Sequence, residues 1–375
     1  MRNVRPRRWP ISALLLLLLA ACGTAQPVSL GSTETPPPAT TEVSALPGEP
    51  AVTPEASTTP AEPVVTPEST DLPITPISEP DFSPVPTIVF PTPVIPAALL
   101  TPVASPPAPD LQFSGESALG FVRDQMQWVP RHTGTPGWQQ TGDYIVQQLS
   151  LSGWSVEEQR FEYQGVNARN IIAKRGSGPV LILGAHYDTR KYADQDPDET
   201  KRQEPVPGAS DGASGVAVLL ELARHIDPDK LGREVWLTFF DAEDNGDIEG
   251  WDWIAGSSYM AQNLTVTPEA MILLDMVGDA DLQLYYEVNS NDLLKQSIWQ
   301  TAAELGYKQF IPELRHAMLD DHTPFLERNI PAVDLIDFDY PPWHTVGDTI
   351  DKVSAESLEA VGRTMERWLE TRAQP

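Results

Sequence analysis

Glu234-Val235-Trp236-Leu237-Thr238-Phe239-Phe240-Asp241-Ala242-Glu243-Asp244 is the stretch on which the fold turns. Six of its first seven residues are apolar or β-branched, and three carboxylates follow. A continuous apolar run of that length, rich in Val, Thr and aromatics, has the pattern of a strand buried on both faces. Its acidic end then falls at the carboxyl edge of a sheet, where open α/β folds receive their ligands. Glu243 and Asp244 side by side repel each other and are costly to desolvate unless a cation or a proton is shared there. Taken alone, the motif also fits a solvated acidic turn, because carboxylates are mostly exposed.

Outward from this strand the same pattern recurs. Asn170–Ala173, Val180–Ala185, Met271–Leu274 and Ala332–Ile336 are short apolar runs that predict further strands, and Gly212–His225 predicts a helix. Gly115–Trp128 and Trp138–Leu151 carry helical spacing, with the turn formers of Pro130–Gly137 between them. Leu358, Val361, Met365, Trp368 and Leu369 trace one face of a helix over Ala355–Arg372, a stripe suited to packing on a sheet. Strand and helix alternate, so the expected fold class is α/β, a mixed, largely parallel central sheet flanked by helices.

Composition divides the chain. Of 375 residues 38 are proline, most of them before residue 110. Residues 23–110 are Pro, Thr, Ser, Ala, Val and Glu without sustained periodicity, and cannot bury enough apolar surface to offset the entropy of ordering. They predict a disordered stalk. At about 3.1 Å per residue, some 85 such residues reach at most roughly 260 Å. The remaining segment, 111–375, is ample for one α/β domain. With 25 basic and 53 acidic residues the formal net charge is −28, which argues against nucleic acid as a partner.

Cys22 is the single cysteine, so no intrachain disulfide is possible. It follows Leu19-Ala20-Ala21, behind the apolar run Leu14–Leu19 and the basic Arg2, Arg5, Arg7 and Arg8. That order predicts a secretory signal over residues 1–22 and not a spanning helix, which needs about 20 apolar residues. Leu19-Ala20-Ala21-Cys22-Gly23 resembles a bacterial lipoprotein processing site. The resemblance implies lipidation at Cys22, export across the cytoplasmic membrane and a lipid anchor at its outer side. An ordinary cleaved signal with an incidental cysteine is the alternative.

Further polar residues sit where the predicted strands and helices begin or end. His186-Tyr187-Asp188 follows Val180–Ala185, Ser210-Asp211-Gly212 precedes a helix, Asp275 ends Met271–Leu274, and Trp343-His344-Thr345 follows Ala332–Ile336. Imidazole nitrogens and carboxylate oxygens are what zinc takes where no thiol is at hand. One such histidine is commonly a hydrogen-bonded structural residue. Two histidines and three carboxylates, each at the rim of a different element, point to a convergent metal site.

Together these motifs resemble the family-28 zinc metallopeptidases, a group holding aminopeptidases and the related glutaminyl-peptide cyclotransferases. The resemblance runs from about Val129 to Ile350. The family's His-x-Asp is similar to His186-Tyr187-Asp188, and its bridging aspartate to Asp211 within Gly208–Gly215. Its catalytic glutamate and the acidic ligand after it resemble Glu243-Asp244, with Asp244 where most members carry a longer Glu. Asp275 and His344 resemble the remaining ligands. The resemblance therefore implies metal ligation by His186, Asp211, Asp244, Asp275 and His344.

Three features resemble the cyclotransferase branch: Asp320-Asp321-His322-Thr323-Pro324-Phe325-Leu326, Trp251 ahead of Gly256-Ser257, and Trp343 beside His344. Packing alone also accounts for the tryptophans, and a helix start at Thr323-Pro324 for the acidic pair. The branch implies cyclisation of an N-terminal glutamine to pyroglutamate with loss of ammonia, and peptide or protein N-termini as substrates. One Zn2+ would sit on Asp211, Asp244 and His344, Glu243 would carry the proton, and Asp275 and Asp321 would share another. Trp251 and Trp343 would wall the substrate pocket. The alternative is an aminopeptidase with two Zn2+ on all five ligands and Glu243 activating water. A non-catalytic lipoprotein that binds peptide ends is a third possibility, against which an intact Glu243 argues. His132, His225 and His316 are expected to be structural or solvated.

Overall fold

Residues 112–372 are described in the computed structural model. The predicted signal segment with Cys22 and the linker 23–110 lie outside the described residues. Helices α1 (Gly115–Gln125) and α2 (Pro136–Leu151) lead into an antiparallel pair, β1 (Ser155–Tyr163) and β2 (Val166–Gly176). Then come β3 (Val180–His186), α3 (Ala213–His225), the short α4 (Pro228–Leu231), β4 (Glu234–Phe240) and α5 (Ala255–Gln262). The second half holds β5 (Ala270–Asp275), β6 (Leu284–Glu287), α6 (Asp292–Leu305), β7 (Phe310–Arg315), α7 (Thr323–Glu327), β8 (Ala332–Ile336) and α8 (Ala355–Arg372).

The central sheet has the order β1-β2-β4-β3-β5-β8. Strands β4, β3, β5 and β8 are mutually parallel, and β2 and β1 extend the sheet antiparallel. The fold is thus mixed α/β with a largely parallel core, as the apolar runs predict. β3, β5 and β8 are buried at every position, and β4 at every position after Glu234. Alternate side chains serve opposite faces. Leu181, Leu183 and Ala185 join the core beneath α1, α3 and α8, whereas Ile182 and Phe240 pack with Met260 of α5 and Phe325 of α7.

Of the antiparallel margin, β2 is anticipated by the run Asn170–Ala173, whereas β1 escapes the sequence pattern. In β1 only Phe161 is buried, and Glu157, Glu158, Arg160 and Glu162 interrupt any apolar alternation. A charged, polar strand is how a sheet edge resists pairing with other chains. α6 is another element not foreseen; Asn291 caps it by accepting from the N–H groups of Leu293 and Leu294, and Gly306 ends it at φ 86°.

The connection from β3 returns to β4 on one side, and the chain from β5 proceeds to β8 on the other. The crevice between the carboxyl ends of β3 and β5 is therefore the switch point of the sheet, where such folds receive ligands.

Candidate active site

β3 ends at His186 and β5 at Asp275, and across the switch point His186 Nε2 lies 3.1 Å from Asp275 Oδ1. Asp211 precedes α3, and its Oδ1 is also 3.1 Å from His186 Nε2. Gly212 follows at φ 70°, where an added Cβ would sit 2.9 Å from His186 Cε1, so the turn that delivers Asp211 tolerates only glycine. Ala242, Met276 and His344 all have positive φ, at 56°, 45° and 54°. Non-glycine residues in that region are uncommon and concentrate at functional sites, where surrounding structure enforces them.

Two sets of ligand-type atoms result, His186 with Asp211 and Asp275, and Asp211 with Asp244 and His344, each within 4.8 Å. In the second set His344 Nε2 is 2.8 Å from Asp244 Oδ1 and 3.6 Å from Asp211 Oδ2. Asp211 belongs to both sets. All five residues are buried, and Asp211 Oδ2 and Asp244 Oδ2 have no hydrogen-bond partner. Buried carboxylate oxygens left unpaired are costly, and a cation relieves that cost. Nitrogen and oxygen donors with no thiol suit zinc, so the residues fit the ion that the sequence implies.

The carboxylates crowd one another. Burial first, and then Asp244, Asp320 and Asp321, push Glu243 well above the usual carboxylate range, against the pull of His186. Burial and the neighbouring Asp211 raise Asp244 to about 6. Burial disfavours a charged His186, but Asp275, Asp188 and Asp211 together raise it well above an ordinary imidazole.

Glu243, Asp211, Asp244, Asp275 and His344 open onto a cavity of about 190 Å³. Trp343 lines it and stacks on His344, with ring centroids 3.8 Å apart. Trp251, expected to wall the pocket, does not line it; it packs edge-on against Tyr163 at 5.3 Å. Trp253 lines the cavity in its place, parallel to the His344 ring at 5.9 Å and under the Arg190 guanidinium at 4.6 Å. Burial, with Asp275 among the charges that add to it, raises Asp321 to about 7, so Asp321 keeps an electrostatic link to Asp275 but has no place at the cavity wall. It is fully buried, whereas Asp320 lines the cavity. Burial pushes Asp320 well above the usual range, and Asp275 is the largest of the charges that add to it. Neighbouring residues in the irregular segment before α7 point different ways, so a motif places the pair without saying which member faces the site. His225 pairs with Glu221 and His316 with Asp339, away from the cavity.

Three supporting residues were not foreseen in these roles. Arg190 donates to the carbonyls of Asp244 and Gly246 and holds Asp194 through two nitrogens. Asp188 accepts from the N–H groups of Glu243 and Asp244 at 3.1 and 3.3 Å. Asp348 accepts from those of Ser210 and Asp211. At a helix start one Asp211 oxygen is free in principle to cap peptide N–H groups, but here both face imidazoles and Asp348 takes the N–H groups instead. A carboxylate that bonds main chain of a remote segment leaves no trace in residue spacing, although the pair His186-x-Asp188 is visible.

Residues 170–369 match the model of Peptidase family M28. A glutaminyl-peptide cyclotransferase from Gloydius blomhoffii is 26% identical over 289 residues, spanning 62% of this chain and 76% of that one. Among solved structures, Porphyromonas gingivalis glutaminyl cyclase is 37% identical with a TM-score of 0.64, over 69% of this chain and 98% of that one. A Zn-dependent exopeptidase from Parabacteroides distasonis is 34% identical with a TM-score of 0.65, over 69% and 99%. With a family model spanning more than half its length and the ligand-type residues gathered at the switch point of its sheet, the chain belongs to Peptidase family M28.

Proposed function

We propose that the protein is a zinc-dependent glutaminyl-peptide cyclotransferase that converts an N-terminal glutamine to pyroglutamate and releases ammonia. The observation that carries this reading is the placement of Asp320 in a small aromatic-walled cavity beside Asp275. Burial and then the charge of Asp275 push the Asp320 carboxyl well above the usual range, so Asp320 keeps its proton at the cavity wall. A protonated Asp320 beside Asp275 competes with a metal for that side chain and favours Asp211, Asp244 and His344 as the set for one ion. Zinc bound there supplies Lewis-acid polarisation of the side-chain amide carbonyl. Glu243, buried at the cavity wall, takes a proton from the α-amine as its nitrogen bonds to the amide carbon, and delivers it to the departing ammonia. Trp253, Trp343 and Phe338 keep the compact cyclic geometry in and bulk water out.

A second reading, a di-zinc aminopeptidase, draws on Asp211 belonging to both ligand sets. In that enzyme Glu243 activates water, and the peptide bond after the first residue is cleaved. Incubating the protein with a peptide that begins with glutamine separates the two by mass spectrometry. Cyclisation lowers the peptide mass by one ammonia, and aminopeptidase action removes a residue. Stepwise trimming, with two zinc ions per chain by metal analysis, would overturn the cyclotransferase assignment.

The same proposal includes export through residues 1–22 and anchorage at Cys22, supported by Leu19-Ala20-Ala21-Cys22. Substrates are then peptide or protein N-termini outside the cytoplasmic membrane.

A further inference from the structure

The loop Pro207–Asp211 delivers the one carboxylate common to both ligand sets, and it is held on both of its polar edges. Its carbonyls are taken by Arg131, a fully buried guanidinium that donates to Pro207 O and Gly208 O, each at 2.8 Å. Its N–H groups are taken by Asp348. Oδ1 accepts from Ser210 N at 2.8 Å, Oδ2 from Asp211 N at 3.1 Å, and the Asp348 carbonyl accepts from Ala209 N at 3.2 Å. The Tyr340 hydroxyl donates to Asp348 Oδ1 at 2.7 Å and so fixes the plane of the carboxylate. Asp348 is fully buried and Tyr340 is 2% exposed, so water does not compete for these bonds.

Asp348 is four residues after His344. The side chain that grips the Asp211 loop therefore rides on the loop that presents His344. Asp188, two residues after His186, grips the Glu243-Asp244 segment in the same manner. Each carboxylate spans two segments, one that carries it and one whose successive N–H groups it binds.

We infer that Asp348, aligned by Tyr340, is a positioning residue that sets the distance between Asp211 and His344 and thereby the affinity of the site for metal. The inference rests on the reading of Asp211 and His344 as metal ligands. A residue that merely supports the fold lowers stability of the metal-free protein and leaves its intrinsic metal affinity alone. A positioning residue lowers the affinity itself, as partners behind the ligands do in other metal sites, typically by about 10- to 100-fold.

The test uses the full chain and its Asp348→Asn, Tyr340→Phe and Asp211→Asn variants. Zinc affinity is measured by competition with a chromophoric chelator, and the melting temperature is measured without metal. Asp348→Asn replaces one acceptor oxygen by a donor facing a donor, and is expected to weaken zinc by about 10- to 100-fold. Tyr340→Phe keeps both peptide bonds and is expected to lose less, in the same direction, with the metal-free melting temperature nearly unchanged. Wild-type zinc affinity in Asp348→Asn with a lowered metal-free melting temperature overturns the inference. If Asp348→Asn does not fold, Tyr340→Phe decides alone: wild-type affinity overturns it, and a loss at unchanged metal-free melting temperature supports it. Asp211→Asn is the separate check on the underlying reading. Wild-type zinc affinity there removes Asp211 from the site and overturns the inference with it.

Discussion

The main-chain N–H of Glu243 donates to Asp188 Oδ1 at 3.1 Å, so the proposed base is held through its backbone, while its carboxyl approaches His186 Nδ1 only to 3.9 Å. Its carboxyl is thereby free to change without moving the segment that carries Asp244. Glu243→Gln is accordingly expected to keep zinc and lose turnover by about 10²- to 10⁴-fold, the usual contribution of a positioned general base. Steady-state rates with a glutaminyl peptide and zinc content of the same sample check it. A variant at wild-type rate would mean that Glu243 does not carry the proton.

The two neighbouring tryptophans should behave differently. Trp253 lies parallel to His344, whereas Trp251 packs on Tyr163 outside the cavity. Trp253→Ala is expected to lower kcat/KM by about 2- to 10-fold, equivalent to the roughly 0.5–1.5 kcal/mol of a stacked aromatic pair. Trp251→Ala is expected to lower the melting temperature and leave kcat/KM near wild type. The reverse pattern would restore Trp251 as the pocket wall.

Glu287, outside both ligand sets, gives a pH prediction. Burial alone would raise it, yet His322, the N–H groups of Asn289 and Met318, and Ser290 bring its carboxyl down from 4.5 to about 2. A folded-state value below the unfolded one contributes stability that is present above about pH 4.5 and lost as the pH falls through about 2. Glu287→Gln should therefore be less stable than wild type at neutral pH, with the gap narrowing between those two values. Urea unfolding across pH 7 to about 2.5 checks it, and a gap that stays constant over that range would contradict the linkage.

Anchorage is tested at Cys22. On the proposed anchorage, Cys22→Ser is expected to move the protein from the membrane fraction to the soluble one, because the change removes the thiol to which lipid would attach. Unchanged membrane retention on cell fractionation would rule out the anchor.

How much of this was legible beforehand depended on which periodicity the residues obeyed. β3, β4, β5 and β8 announce themselves because both faces are buried, so the run is continuously apolar. β1 does not, because its exposed edge is written in Glu, Gln and Arg. The site divides in the same way. His186, Asp211 and Asp275 are found where a strand or helix begins or ends, and the elements themselves bring them together. Trp253 and Asp320 lie in irregular chain, where no period says which of two close residues points inward, and the expectation settled on Trp251 and Asp321. Asp348 could not be read at all, since its partners are peptide N–H groups 137 and 138 positions away.

Asp211 offers Oδ1 towards His186 and Oδ2 towards His344. One side chain common to two ligand sets makes them a single thermodynamic system. Charge drawn from one oxygen by an ion in either set is no longer available to the other. By linkage the penalty is mutual, so an ion in the His344 set discourages one in the His186 set by the same factor as the reverse. Were both sets to take an ion, the second would bind more weakly than the first. On the proposed one-ion reading, an ion on Asp211, Asp244 and His344 would thus itself help to keep the His186 set unfilled.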